Sequence, residues 1–208
     1  MFGGNFQTWK LHSAQDYFMF FAYILAGVMV FWLIAKHMNK QRNHEKAVEK
    51  VSGRLKKICG KPGEVLKNAT LNLPEGKMTF DVVLMDKRGV YLVRTYGWGI
   101  KIYGTPDGAM WRREDAKRKE EFENPLLELK KGAAEITKVM EENGVQSLKV
   151  MPMVVFADNF QTPELYLGYG SFSTTYQELK NWYKKQSGVK EVQYDYDKVS
   201  SIIKELAK

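Results

Sequence analysis

Hydrophobic positions follow three different patterns along this chain. The first is unbroken: residues 17–35, YFMFFAYILAGVMVFWLIA, run nineteen positions without a charge. As a helix that run measures roughly 30 Å, the thickness of a bilayer hydrocarbon core. Trp9 and Tyr17 at one end and Trp32 at the other suit the interfacial zones. The run is too long for the apolar part of a signal peptide, and no small-x-small cleavage site follows it. The second pattern is a narrow stripe. Ala47, Val48, Val51, Leu55 and Ile58 recur at helical spacing and predict one amphipathic helix over Lys36–Ile58.

The third pattern begins at Gly60, where short apolar runs alternate with turn residues. MTFDVVLM (78–85), VYLVRTY (90–96), IKIYG (100–104) and AMWR (109–112) predict four strands. DKRG, GWG and TPDG separate them as tight turns, which predicts an antiparallel meander. RREDAKRKEE (112–121) has almost nothing to bury and is expected as an exposed loop. In 124–144, Asn124 suits an N-cap, Pro125 the first helical position and Gly144 the stop of a strong helix. LKVMPMVVFA (148–157) reads as a strand covered on both faces. DNFQTPELYLGYG reads as irregular, with a short strand at best. A helix over STTYQELKNWYKKQ, with a Thr174/Gln177 capping box, and an amphipathic helix over DYDKVSSIIKELAK close the chain. The order of elements predicts an α/β fold with a mixed β-sheet flanked by helices. Four segments follow: 1–16 as a short extracytoplasmic N-terminus, 17–35 as a transmembrane helix, 36–59 as a basic juxtamembrane helix or linker, and 60–208 as a cytoplasmic domain.

Charge changes the picture at one place. The net charge is +8, and residues 36–61 alone hold nine basic against two acidic residues. The stripe is Lys36, Lys40, Arg42, Lys46, Lys50, Arg54, Lys56, Lys57 and Lys61, so the body is nearly neutral. A basic excess directly after the span, with only Lys10 and Asp16 before it, places the N-terminus outside and the main domain in the cytoplasm. Such a segment is drawn to anionic lipid by about 1 kcal/mol per residue near the surface. Nucleic acid is the weaker reading of the stripe, and packing against a partner a third. The single cysteine, Cys59, excludes an internal disulfide, and His12, His37 and His44 lie at no zinc-site spacing from it.

Candidate chemistry rests on one strand. Arg94 and Tyr96, two apart in VYLVRTY, point to the same face. GE (63–64), FDVVLMDKRGVYLV (80–93), GWGIKIYG (97–104), Trp111, NPLLE (124–128) and VMPMVVFAD (150–158) occur in this order. Together they resemble the nuclease-related domain (NERD) family over roughly residues 60–160. That resemblance implies a restriction-endonuclease-like fold, in which acidic residues and a Glu-x-Lys pair hold Mg²⁺ or Mn²⁺ and activate water. It puts Glu64 at the family's early helix glutamate and Asp81 at its metal-binding aspartate. The Glu-x-Lys pair is replaced by Arg94 and Tyr96, and Glu128 stands where the family usually has glutamine.

A guanidinium cannot shed its proton and sits where a metal ion would. The cleft is therefore expected to be degenerate, with no cofactor and Arg94 paired to Asp81 and also to Glu64. The function expected is a single-pass membrane protein whose nuclease-like domain is inactive and binds or scaffolds protein or DNA at the membrane. A protein partner or self-association is the leading expectation there. The alternative is a membrane-anchored, metal-dependent DNA nuclease with a rearranged site. Glu64 and Asp81 would then ligate the metal, and a migrated Lys77 or Lys101 would act. Tyr96, Trp98 and Tyr103 are expected to pack across strands rather than to stack bases.

Overall fold

The computed structural model describes residues 13–41, 43–115, 118–158, 161–186 and 194–208, with the side chains of 37–41 outside that description. The chain divides into two compact units at residues 40/41. The first contains helix α1 (Ala14–Gln41). Its stretch Ala14–Lys36, of mean hydropathy 2.4, is long and apolar enough to cross a membrane and is 0% buried. Among the described residues, its large apolar side chains are exposed rather than packed into a core. Lys36 lies 4.7 Å from the centre of the Trp32 ring.

The second unit is α/β. Its elements are α2 (His44–Cys59), β1 (Glu64–Leu73), β2 (Gly76–Asp86), β3 (Gly89–Tyr96), β4 (Lys101–Gly104), β5 (Met110–Glu114) and β6 (Lys119–Glu123). After them come α3 (Pro125–Glu142), β7 (Val150–Phe156), β8 (Glu164–Leu167), β9 (Ser173–Thr175), α4 (Leu179–Gln186) and α5 (Tyr196–Leu206). One sheet has the order β1-β2-β3-β7-β9, antiparallel through β3 and parallel from β3 to β9. A second sheet has the order β6-β5-β4-β8, with β4 and β8 parallel.

Alternation along β2 and β3 feeds two cores, one on each face of the larger sheet. Val83, Met85, Val90 and Leu92 pack with Leu126, Leu129 and Ile136 of α3 and with Val199 and Ile203 of α5. Val82, Leu84, Tyr91 and Val93 pack with Ala47, Val48, Val51 and Leu55 of α2 and with Leu179 and Tyr183 of α4. Asn124 caps α3 as its sequence implies, its side chain accepting the Leu126 N–H at 3.0 Å. Gly132 lets α3 lie close to the sheet, since a Cβ there would stand 2.7 Å from Cζ of Phe80.

Several expectations need correction. The helix expected over Lys36–Ile58 is broken: Asn43 caps α2, accepting the Glu45 N–H at 3.0 Å. The stripe's apolar face is buried against the sheet, so α2 belongs to the domain rather than to a linker. The expected meander is two hairpins in different sheets. β3 takes parallel β7 as its next neighbour, and Gly99, at φ 125°, helps turn the chain out of the sheet. Within the charged run 112–121, residues 112–114 lie in β5 and 119–121 in β6, two paired antiparallel strands rather than an exposed loop. Its charges pair across strands, Arg113 Nε to Glu120 at 2.8 Å and Lys119 to Glu114 at 3.2 Å. Thr174 lies in β9, so its expected capping box with Gln177 does not form; Thr175 Oγ1 accepts the Glu178 N–H just ahead of α4.

Candidate functional site

Asp81 sits where β2 changes face. The β1–β2 ladder pairs Lys67 with Val82 and Ala69 with Phe80, and skips Asn68, which takes φ 48°. Alternation slips there. Phe80 shares a core with Val83 and Met85, while Val82 and Leu84 face the other. The β2–β3 ladder ends at the Val82–Val93 pair. Beyond that end, the Asp81 carboxylate takes the place of a strand partner. Its Oδ2 accepts the Thr95 N–H at 2.6 Å, satisfying a backbone donor that burial would otherwise orphan.

Asp81 Oδ1 faces two cationic or ionisable groups. Arg94 Nη1 and His44 Nε2, at the start of α2, each lie 3.4 Å away. The same guanidinium reaches Glu128 Oε2 on α3 through Nη2 at 2.6 Å and donates to the Thr79 carbonyl at 3.2 Å. Arg94 therefore joins two strands and a helix at the edge of the core. The Asp81 side chain is 5% exposed, that of Arg94 20% and that of Glu128 49%. The burial of one carboxylate is thus offset by its pairing and hydrogen bonding, and the other stays in contact with water.

Glu64, the third acidic candidate, is elsewhere. It stands at the start of β1, not on a helix, and its oxygens accept from Ser200 Oγ at 2.7 Å and Lys204 Nζ at 2.9 Å on α5. Those bonds, Lys204 first, hold its carboxyl below the ordinary value. The expected Arg94–Glu64 pair is replaced by Arg94–Glu128. Tyr96 belongs to an aromatic cluster that joins the two sheets. Its ring lies 4.7 Å from Trp98 and 5.5 Å from each of Phe122 and Phe156, stacked on the last. Burial pushes its phenol up to about 12, with neighbouring Arg94 pulling the other way, so it is protonated at neutral pH. Tyr103 stacks on Tyr166 at 4.8 Å. Lys101, in the second sheet, lies 3.9 Å from Glu164, and Lys77 stands opposite Asn72 in the β1–β2 ladder.

Sequence reasoning noted Glu128 only as a departure from the family pattern, without placing it in the cluster, and missed His44 there. The departure at Glu128 was the available signal: a carboxylate gained beside a guanidinium gained. Among the described residues, no group of three or more His, Cys, Asp or Glu side chains is placed to hold a metal ion. The donors here do not fit a divalent cation, because a fixed monovalent one bridges Asp81 and Glu128. Of the basic stripe, Lys50, Arg54 and Lys57 converge on a pocket between α2 and α4, and Lys56 projects to solvent. Arg42 and the Lys40 side chain lie outside the described residues.

The family model for the nuclease-related domain matches residues 40–157, more than half of the chain. No curated protein and no solved structure matches.

Proposed function

Because the chain belongs to the nuclease-related domain (NERD) family, we propose that its nuclease-like domain is catalytically silent and serves as a binding or scaffolding module tethered to a membrane. Arg94 carries the reading. Phosphodiester cleavage in this fold needs carboxylates free to organise the attacking water. Here Asp81 and Glu128 are engaged by the Arg94 guanidinium, a fixed cation in the place a metal ion would take. Tyr96, which replaces the lysine, is locked in aromatic packing and brings no positive charge to a developing phosphoryl oxyanion. The basic excess after α1 supports an outside N-terminus and a cytoplasmic domain, with anionic lipid as the surface it meets.

The second reading, a nuclease with a rebuilt site, draws on the His44 imidazole beside Asp81. An imidazole oriented by a carboxylate is a competent proton acceptor. Arg94 competes for the same oxygen, which weakens that arrangement.

The test is a cleavage assay on the full chain in nanodiscs, with single- and double-stranded DNA and either Mg²⁺ or Mn²⁺. The expected result is no cleavage above that of Asp81→Ala purified alongside. Cleavage by the native chain that disappears in Asp81→Ala or His44→Ala overturns the proposal and establishes the rebuilt site.

A further inference from the structure

On the face of the larger sheet covered by α2 and α4 there is a pocket of about 670 Å³. Lys50, Arg54 and Lys57 enter it from one face of α2, Lys180 and Lys184 from α4, and Arg88 from the β2–β3 turn. One acidic side chain, Glu49, shares the lining. Half of these cations lie in the basic stripe and half come from the nearly neutral body, so the concentration of charge is produced by folding. It shares no lining residue with the Arg94–Asp81 cluster and does not depend on whether that cluster is silent.

Two of the cations are held in place. Arg88 lies 4.2 Å from the centre of the Tyr183 ring and donates from Nη1 to the Tyr183 carbonyl at 3.0 Å. Its backbone N–H bonds Asp86 Oδ1 at 2.8 Å, and the Tyr183 hydroxyl donates to the other oxygen of the same buried carboxylate. Arg54 repeats the arrangement, lying 4.6 Å from the Tyr176 ring and donating to the Gln177 carbonyl at 3.3 Å. A guanidinium fixed by one carbonyl and one ring keeps further N–H donors for a ligand, and its planar fork matches phosphate oxygens. Gathering so many like charges costs stability through self-repulsion, which a bound anion relieves.

We propose that this pocket binds a compact polyphosphate group, with Arg54 and Arg88 as its fixed clamps and Lys57 and Lys180 as mobile counter-charges. The volume suits one small ligand. It suits a nucleic-acid duplex less, because a duplex spreads single charges along a track. The group reaches the pocket either on a soluble molecule, such as a nucleoside triphosphate, or on the headgroup of a multiply phosphorylated lipid. Both sources present the same chemistry.

The experiment uses the full chain in phosphatidylcholine nanodiscs. One arm titrates inorganic tripolyphosphate and ATP. A second replaces part of the lipid with a bisphosphorylated inositol lipid and follows binding of its soluble headgroup in competition. A third titrates a DNA duplex. Lys57→Glu/Lys180→Glu is expected to weaken phosphate binding at least about tenfold. Lys67→Glu/Lys138→Glu, the same charge change on β1 and α3 outside both the pocket and the basic stripe, is expected to change it less than about twofold. Loss in the first or second arm supports the pocket and identifies the source. Equal loss in both variants, binding of the duplex alone, or no binding in either phosphate arm overturns it.

Discussion

Arg94 ties together groups that are remote in the chain, and its neighbours show how. Asp81 does two jobs, balancing the guanidinium and capping the Thr95 N–H beyond the last β2–β3 pair. Asp81→Ala therefore leaves a buried donor unpaired and Arg94 short of a counter-charge, at a cost of about 2–4 kcal/mol. Asp81→Ala/Arg94→Ala removes the second of those penalties and is expected to recover part of the loss. Urea unfolding followed by tryptophan fluorescence measures both; a double variant that recovers nothing refutes the pairing. Arg94 and Tyr96 stand out in the sequence because a two-residue spacing on a strand defines one face. Glu128 and His44 do not, because their approach depends on where α3 and α2 dock on the sheet. Glu64 misleads for a local reason. A glutamate after Gly-Lys-Pro-Gly is as compatible with a strand start as with a helix start, and only the β1–β2 ladder decides.

Among the elements, local chemistry guided better than long-range pairing, although the Thr174/Gln177 box did not form. Asn124-Pro125 starts α3 where capping and the fixed proline φ place it. β2 and β3 form the hairpin that their turn implies. Which strand follows β3 in the sheet is not a local property, so the switch to parallel β7 was hidden. The β5–β6 hairpin was hidden for another reason. Its strands are held partly by cross-strand ion pairs, and hydrophobic periodicity does not register those. The docking of α5 on β1 makes a pH-dependent prediction. Glu64 has its folded pKa depressed by Lys204 and Ser200, so its contribution is present above the ordinary carboxylate value and is lost as pH falls through the folded one. Hydrogen exchange of α5 amides should quicken across that acid window, and Glu64→Gln should remove the dependence. The effect is small, because Glu64 is partly exposed to water and salt. An unchanged acid profile in Glu64→Gln would contradict the assigned contact.

Over the whole molecule, an apolar helix is followed by a basic stripe, residues 36–61, that runs through α2. Folding turns part of that stripe into one wall of a cationic pocket and buries its apolar face in the domain core. At the end of the β2–β3 ladder, Arg94 joins Asp81 and Glu128 in one ion cluster. In the proposed reading Arg94 stands in place of the divalent cation. The most direct measurement is a Mn²⁺ titration of the full chain in nanodiscs, read by electron paramagnetic resonance, on the native protein, Asp81→Ala and Arg94→Glu/Tyr96→Lys. The expected result is no stoichiometric site in the native chain and a gain of Mn²⁺ binding in the double variant, where a carboxylate again faces Asp81. A stoichiometric site in the native chain that Asp81→Ala abolishes would contradict it.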